Sequence, residues 1–207
     1  MGKLRRTAGS WRDRQERDPY VQQARRDGWR SRAVYKLEQI NQKEQILRPD
    51  MVCVDVGSAP GGWSQYVIKK LKGRARIVAV DVLPMDFLLG VDFIRGDFLD
   101  ETVFVQILNT LGDKGVDLVM SDIAPNITGN RVVDQPRSMY LVESAFELAQ
   151  RSLKQGGSFI CKMFQGEGID EFVSDARKSF GRVKVMKPKA SRIGNREVYL
   201  VARNYQL

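Results

Sequence analysis

Lys162 stands in the run GGSFICKMFQGEG, whose pattern is that of a buried strand. A charge in such a strand costs several kcal/mol unless it is paired, so this lysine requires a reason. Strand alternation turns Cys161 and Met163 one way and Lys162 the other, toward the edge where functional groups gather. A second chemical feature is the glycine-rich turn in VCVDVGSAPGGWSQYVIKKL, with Gly57, Gly61 and Gly62 between an apolar run and a helical one. That is where an α/β sheet holds a nucleotide-like ligand. The glycine spacing resembles a phosphate loop, but Trp63 occupies the position of the lysine that would meet a β/γ-phosphate. Against the dinucleotide fingerprint, Ala59 replaces the glycine that lets backbone approach a pyrophosphate.

Four carboxylates narrow the ligand further. Asp55 precedes the turn, Asp81 ends the next apolar run, Asp97 follows the third and Asp122 the fourth. Parallel strands bring their carboxyl ends to one edge, so these acids are expected to ring one crevice. Such a ring repels a pyrophosphate. It suits a ligand with a sulfonium, an ammonium, ribose hydroxyls and an adenine amine, a description that S-adenosylmethionine meets. Asp81, 24 residues after Gly57, is the candidate for the ribose hydroxyls, since one carboxylate can accept from both. Two more ionisable residues stand out by context, Lys36 in SRAVYKLEQI and Glu197 at the start of EVYLVA. Taken singly, they would read as an exposed helix residue and an exposed strand start.

Composition closes other routes. The 207 residues contain no histidine, which removes Ser-His-Asp and Cys-His nucleophiles and imidazole zinc sites. Cys53 and Cys161 lie far apart, each within an apolar run. They read as buried free thiols in a reducing compartment rather than as a disulfide framework or a metal site. No apolar run approaches the ~18 residues of a membrane span, and a cytoplasmic protein without membrane partners is expected. The net charge is +9. Residues 1–50 carry +6 and 174–207 carry +7, around a middle of −4. Basic ends with interleaved Trp29, Tyr35 and Tyr199 suggest neutralised RNA phosphates and bases packed on rings; a solvated basic face is the alternative.

The elements that must position these groups follow from periodicity. Residues 1–18 are charged and aperiodic and are expected to form a basic, flexible arm. Residues 19–48 suit one or two amphipathic helices interrupted at Gly28, an N-terminal extension of a single domain spanning 19–207. Short Val- and Ile-rich runs at 51–56, 76–82, 91–94, 117–121, 158–164, 182–186 and 197–202 read as strands. The clearest helix follows Asp134 and Pro136 and stops at Gly156-Gly157. Alternating strands and helices predict a Rossmann-like, mostly parallel α/β sheet. The polar 188–195 link predicts an antiparallel strand at one edge. No helix shows a second apolar stripe, which favours a monomer.

Together these motifs resemble the FtsJ/RlmE-type ribosomal RNA 2′-O-ribose methyltransferases, from about Tyr20 onward. The resemblance is carried by YVQQARRDGWRSRAVYKLEQI, VDVGSAPGGWSQYV, VDVLPMDFLLGVDFIRGDF, VMSDIAPNITG, DQPRSMYLVESAFELA, GGSFICKMFQGEG and SRIGNREVYLVA. It implies a methyltransferase fold, S-adenosylmethionine as donor, and a catalytic tetrad falling on Lys36, Asp122, Lys162 and Glu197. Donor-binding positions fall on Gly61, Trp63, Asp81, Asp97 and Asp122, to which the residue pattern adds Asp55 and Gly57. The implied substrate is a uridine ribose in large-subunit ribosomal RNA, in an assembled or late-assembling particle. The same chemistry serves tRNA and mRNA caps, and a catalytically silent RNA-binding assembly factor is the alternative from another class. Lys162 either takes the 2′-hydroxyl proton or, protonated, orients the hydroxyl.

Overall fold

A computed structural model describes residues 17–113, 115–192 and 194–206. Most of the expected arm, residues 1–16, lies outside the described residues. Chain order starts with two helices, α1 (Pro19–Arg26) and α2 (Val34–Glu44), followed by β1 (Met51–Val56) and α3 (Gly62–Lys70). Next come β2 (Ala75–Asp81), β3 (Val91–Arg95), α4 (Glu101–Leu111) and β4 (Val116–Ser121). The chain continues through α5 (Arg131–Ser152), β5 (Leu153–Phe164), α6 (Ile169–Ser179), β6 (Phe180–Met186) and β7 (Glu197–Tyr205).

The seven strands form one sheet in the order β3-β2-β1-β4-β5-β7-β6. Pairings from β3 through β5 are parallel, and β7 is antiparallel to both β5 and β6. The expected hairpin is therefore β6–β7, in which the reversed strand β7 sits between β5 and the edge strand β6. Strand order turns back between β1 and β4, so the loops leaving those two strands diverge and open a crevice at their carboxyl ends.

Alternation along the central strands builds two cores. Val54, Val56, Val78, Val80, Val119, Phe159 and Met163 pack against α4, α5 and α6. Cys53, Ile77, Ala79, Leu118, Met120 and Ile160 pack on the other face against α1, α2 and α3. Cys53 and Cys161 are both buried and free, and burial pushes both thiols upward in pKa, so they remain inert packing groups.

The N-terminal helices form where local signals place them. Asp18 accepts from the Tyr20 amide at 3.0 Å with Pro19 opening α1, and Gly28 adopts φ +72° beyond its end. In α2, Val34, Leu37 and Ile40 face the sheet. α5 departs from expectation. It begins at Arg131, ahead of Pro136, and ends at Ser152, ahead of the glycine pair. Asn130 accepts from the Val132 amide at 3.1 Å, and this cap outweighs the proline. Pro136 removes one donor from the second turn, but it and Val132 are exposed, so water can satisfy the freed carbonyl. No helix among the described residues is long and apolar enough to cross a membrane.

Candidate active site

At the carboxyl ends of β1, β2, β3 and β4 lies a cleft of about 500 Å³, a size suited to a small organic ligand. Its wall begins at Gly57, whose φ is +73° and where a Cβ would stand 2.7 Å from Ile123 Cβ. Only glycine lets this turn pass beneath Ile123. Asp81 is fixed by two backbone donors, the Ala59 amide to Oδ2 and the Leu83 amide to Oδ1, each at 2.8 Å. Asp97 accepts from the Leu99 amide at 3.0 Å. Both carboxylates keep lone pairs for a ligand. Val80, Phe98, Ile123 and Leu141 give the cleft apolar surface, and Lys162 and Asp122 stand at one end of it.

Three of the four expected acids, Asp81, Asp97 and Asp122, line this cleft, and Asp55 does not. Asp55 lies beneath it, 1% exposed, accepting from the Ser64 amide at 3.1 Å and the Ser64 hydroxyl at 2.7 Å. It caps the first turn of α3. Burial is the main reason its pKa rises to about 7, with help from the negative charges of Asp122 and Asp81 and against the two Ser64 bonds. Gly61 and Trp63 also stand behind the lining. Gly61, at φ +99°, lies under the Arg30 guanidinium and the Met85 sulfur. Trp63 donates from Nε1 to the Ala33 carbonyl at 2.8 Å and packs on Tyr199 with ring centroids 5.9 Å apart.

The four expected tetrad residues come together from α2, the loop after β4, β5 and β7. Lys162 Nζ lies 3.3 Å from Asp122 Oδ1 and also donates to the Asp122 backbone carbonyl. Lys36 Nζ lies 2.9 Å from Glu197 Oε1 and 3.6 Å from Asp122 Oδ1. Lys36, Lys162 and Glu197 are all buried, so the solvent-exposed readings of Lys36 and Glu197 do not hold. Burial opposes the charge on Asp122, but Lys162, Lys36 and a hydrogen bond from Tyr199 outweigh it and keep the carboxyl below its usual range.

Tyr199 is a member of this cluster that its sequence context did not mark. Its hydroxyl is 2.5 Å from Asp122 Oδ1 and 3.2 Å from Glu197 Oε1. Its single proton goes to the nearer Asp122 oxygen. Burial first, then the two neighbouring carboxylates, push its pKa well above the ordinary phenol value, so it remains a donor. The available signal was register: Tyr199 shares a strand face with Glu197, and the β5–β7 pairing sets it opposite Lys162. Ser191 donates to Glu197 Oε1 at 2.9 Å and completes the cluster.

The stacking role expected of Tyr35 and Tyr199 is overturned by burial. Both lie in the core, and the Tyr35 hydroxyl is engaged with Asp27 Oδ2 at 2.6 Å. Trp29 is half-buried against Tyr66, with Lys69 Nζ 4.5 Å from its ring centroid.

The cleft thus offers carboxylates, apolar walls and one ion-paired lysine, with no arginine among its lining residues. This set fits a cationic ligand with hydroxyls and an aromatic base, and it opposes a pyrophosphate. Structural comparison agrees with the fold. A protein from Plasmodium falciparum, provisionally named a ribosomal RNA methyltransferase, is 30% identical, with 86% of this chain and 98% of that one covered at a TM-score of 0.78. Two more distant structures share the fold alone. One is a provisionally named methyltransferase from Streptococcus mutans solved with S-adenosylhomocysteine, 13% identical, covering 83% of this chain and 95% of that one, TM-score 0.51. The other is a provisionally named rRNA methylase from Clostridium thermocellum, 14% identical, covering 81% and 96%, TM-score 0.56. The sequence profile of the FtsJ-like methyltransferases matches residues 29–205, nearly all of the folded chain, and the protein belongs to that family.

Proposed function

We propose that this protein methylates the 2′-hydroxyl of a uridine ribose in large-subunit ribosomal RNA, using S-adenosylmethionine and acting on an assembled or late-assembling particle. The observation that carries the reading is the convergence of two buried lysines on Asp122 at the end of a carboxylate-lined cleft. Family membership and the likeness to a provisionally named rRNA methyltransferase support it. In this reading the protein works as a monomer in the cytoplasm, beside its substrate.

In this reading Asp81 accepts from the donor's ribose hydroxyls, Asp97 from the adenine amine, and Gly57 lets the backbone come close. The Gly61 and Trp63 segment shapes the end that holds the amino-acid tail. The bound donor supplies an electrophilic methyl group on a sulfonium. Asp122 faces that positive charge and anchors Lys162. As an ammonium, Lys162 already directs hydrogens to the Asp122 carbonyl and carboxylate and retains one for the ribose oxygen, which it orients and stabilises as negative charge develops, the hydroxyl proton leaving late to water as the methyl passes from sulfur to oxygen. As a neutral amine it would instead accept the hydroxyl proton. Lys36, tied to Glu197, holds the ribose or an adjoining phosphate, and Tyr199 keeps Asp122 turned toward both lysines.

The test is transfer of labelled methyl from S-adenosylmethionine to large subunits, free rRNA and tRNA from cells lacking the protein, with mapping of alkali-resistant linkages. One labelled 2′-hydroxyl in the subunit is the expected result. Labelling of tRNA alone would overturn the substrate, and donor binding without any labelling would overturn the enzymatic reading. In the same assay Lys162→Ala should lower kcat by about 10²–10⁴-fold while donor affinity, measured by calorimetry, stays unchanged.

A further inference from the structure

A second cavity, of about 240 Å³, is lined by Ile127, Asp134, Gln135, Phe164, Asn195 and Arg196, and meets the donor cleft's lining where Ile127 follows Asn126. Its position is fixed by strand register. Phe164 follows Lys162 by two residues on β5 and pairs with Glu197 on β7. Residues two apart share a face and stand roughly 6.6 Å apart. A nucleotide with its 2′-oxygen at Lys162 can therefore reach this cavity with its own base.

The lining has the chemistry of a base pocket. Phe164 and Ile127 supply an aromatic and an aliphatic surface. Asp134 is consumed by the fold, accepting from Thr128 and Gly129, and so shapes the wall without offering a free charge. Gln135 donates through Nε2 to the carbonyls of Phe164 and Glu167 at 3.1 and 2.9 Å. Its Oε1 is shielded from solvent and has no hydrogen-bond partner among the described residues, a costly state for a buried acceptor. Asn195 accepts from the Glu197 amide through Oδ1 at 3.1 Å, which turns its amide nitrogen outward from that bond. Arg196 donates to the Gln165 carbonyl at 2.9 Å and keeps further donors for a phosphate.

We infer that this cavity holds the unstacked base of the target nucleotide, with Phe164 and Ile127 as the packing surface and the Asn195 amide nitrogen as a donor for its edge. Extracting a base into a pocket of aromatic and amide groups is how enzymes reach a nucleotide's buried atoms. The inference rests on the reading of the tetrad as a ribose 2′-O-methyltransferase, and its test is independent of turnover.

The full-length protein saturated with S-adenosylmethionine would be titrated with a uridine trinucleotide and with the same trinucleotide lacking its central base. Loss of the base should weaken binding about tenfold, the scale of one base–aromatic contact. Phe164→Ala should weaken the complete trinucleotide by a similar factor and leave the abasic one unchanged, with donor affinity intact. Phe164→Leu, which preserves apolar volume, should give the same contrast in reduced form if the alanine variant folds poorly. Equal affinity for the two trinucleotides, no binding of either at millimolar concentration, or equal weakening of both by Phe164→Ala overturns the inference. A failure of the methyl-transfer assay would count against the enzymatic reading and would leave this binding contrast to be judged on its own.

Discussion

At the residue scale the site depends on charges that hold one another in place. Tyr199 is the least replaceable neutral member, because its hydroxyl touches the carboxylate shared by both lysines. Tyr199→Phe keeps the ring against Trp63 but removes a hydrogen bond to a charged group, worth about 1.5–3 kcal/mol. We expect kcat to fall by about 10–100-fold, with donor affinity within about twofold, read by steady-state kinetics and calorimetry. Asp55 makes a different prediction. Its pKa in the folded protein is about 7, against 3.8 as an ordinary aspartate. Between these values the folded state holds a proton that the unfolded state has lost. Its contribution to stability is therefore greatest below the lower value, declines as pH rises toward 7, and then levels off. Asp122 shifts the opposite way and acts at the acid end, where its stabilising contribution is lost as pH falls below the ordinary aspartate range. Asp55→Asn, which can still accept from Ser64, should flatten the decline between pH 5 and pH 7 in urea titrations. An unchanged slope would show that Asp55 is ionised in the folded protein throughout.

At the element scale the question is how α2, which is not a neighbour of the strands in sequence, delivers Lys36 to a cluster built from β4, β5 and β7. Its C-terminal end is clamped by Glu44. Glu44 Oε1 lies 2.8 Å from Lys184, and Oε2 lies 3.2 Å from Arg182 and 4.0 Å from Arg203. The Glu44 carbonyl also accepts from Arg203 at 2.7 Å. The cations are half-exposed, so the clamp is worth less than a fully buried network. Glu44→Ala should cost about 1–2 kcal/mol in chemical unfolding and raise KM more than it lowers kcat, because the helix presenting Lys36 is loosened. On the other side of the site, the cap from Asn130 and the Asp134 bonds to Thr128 and Gly129 fix the loop after β4. That loop carries lining residues of both the donor cleft and the proposed base pocket.

For the whole molecule, charge distribution bears on the proposed RNA substrate. Among the described residues the two basic stretches meet in the fold, because α1 and α2 pack beside the β6–β7 link: Arg192 Nε meets Asp18 at 3.3 Å, and Gln39 accepts from the Ala190 amide at 3.0 Å. Lys43 and Lys189 line one groove on this surface. Binding to large subunits should weaken linearly on a log–log plot as salt rises. The double variant Lys43→Ala, Lys189→Ala should reduce the slope by about 2 if each lysine meets one phosphate. A slope unaffected by these changes would place the RNA elsewhere.

Most of the strands, the glycine turn and the buried Lys162 were legible in the amino-acid order, because each rests on a local pattern. Valine-rich runs bury both faces of a parallel sheet, and a lysine within such a run must be paired. Lys36 and Glu197 were legible through resemblance more than through context, since the partners that bury them come from distant segments. Tertiary structure alone decided which acids line the cleft. Asp55 and Asp81 share a face of neighbouring strands, yet Asp55 is level with Ala79, below the strand ends, where it meets the first turn of α3, while Asp81 stands two residues higher and meets the cleft. It also decided the fate of the aromatic residues: Tyr199 sits in a basic stretch of sequence, but its β7 register places it opposite Lys162, beneath the surface. The proposed base pocket depends on the loop after β4, the start of α5, the end of β5 and the β6–β7 link coming together, a closeness set by strand order that no local sequence pattern encodes.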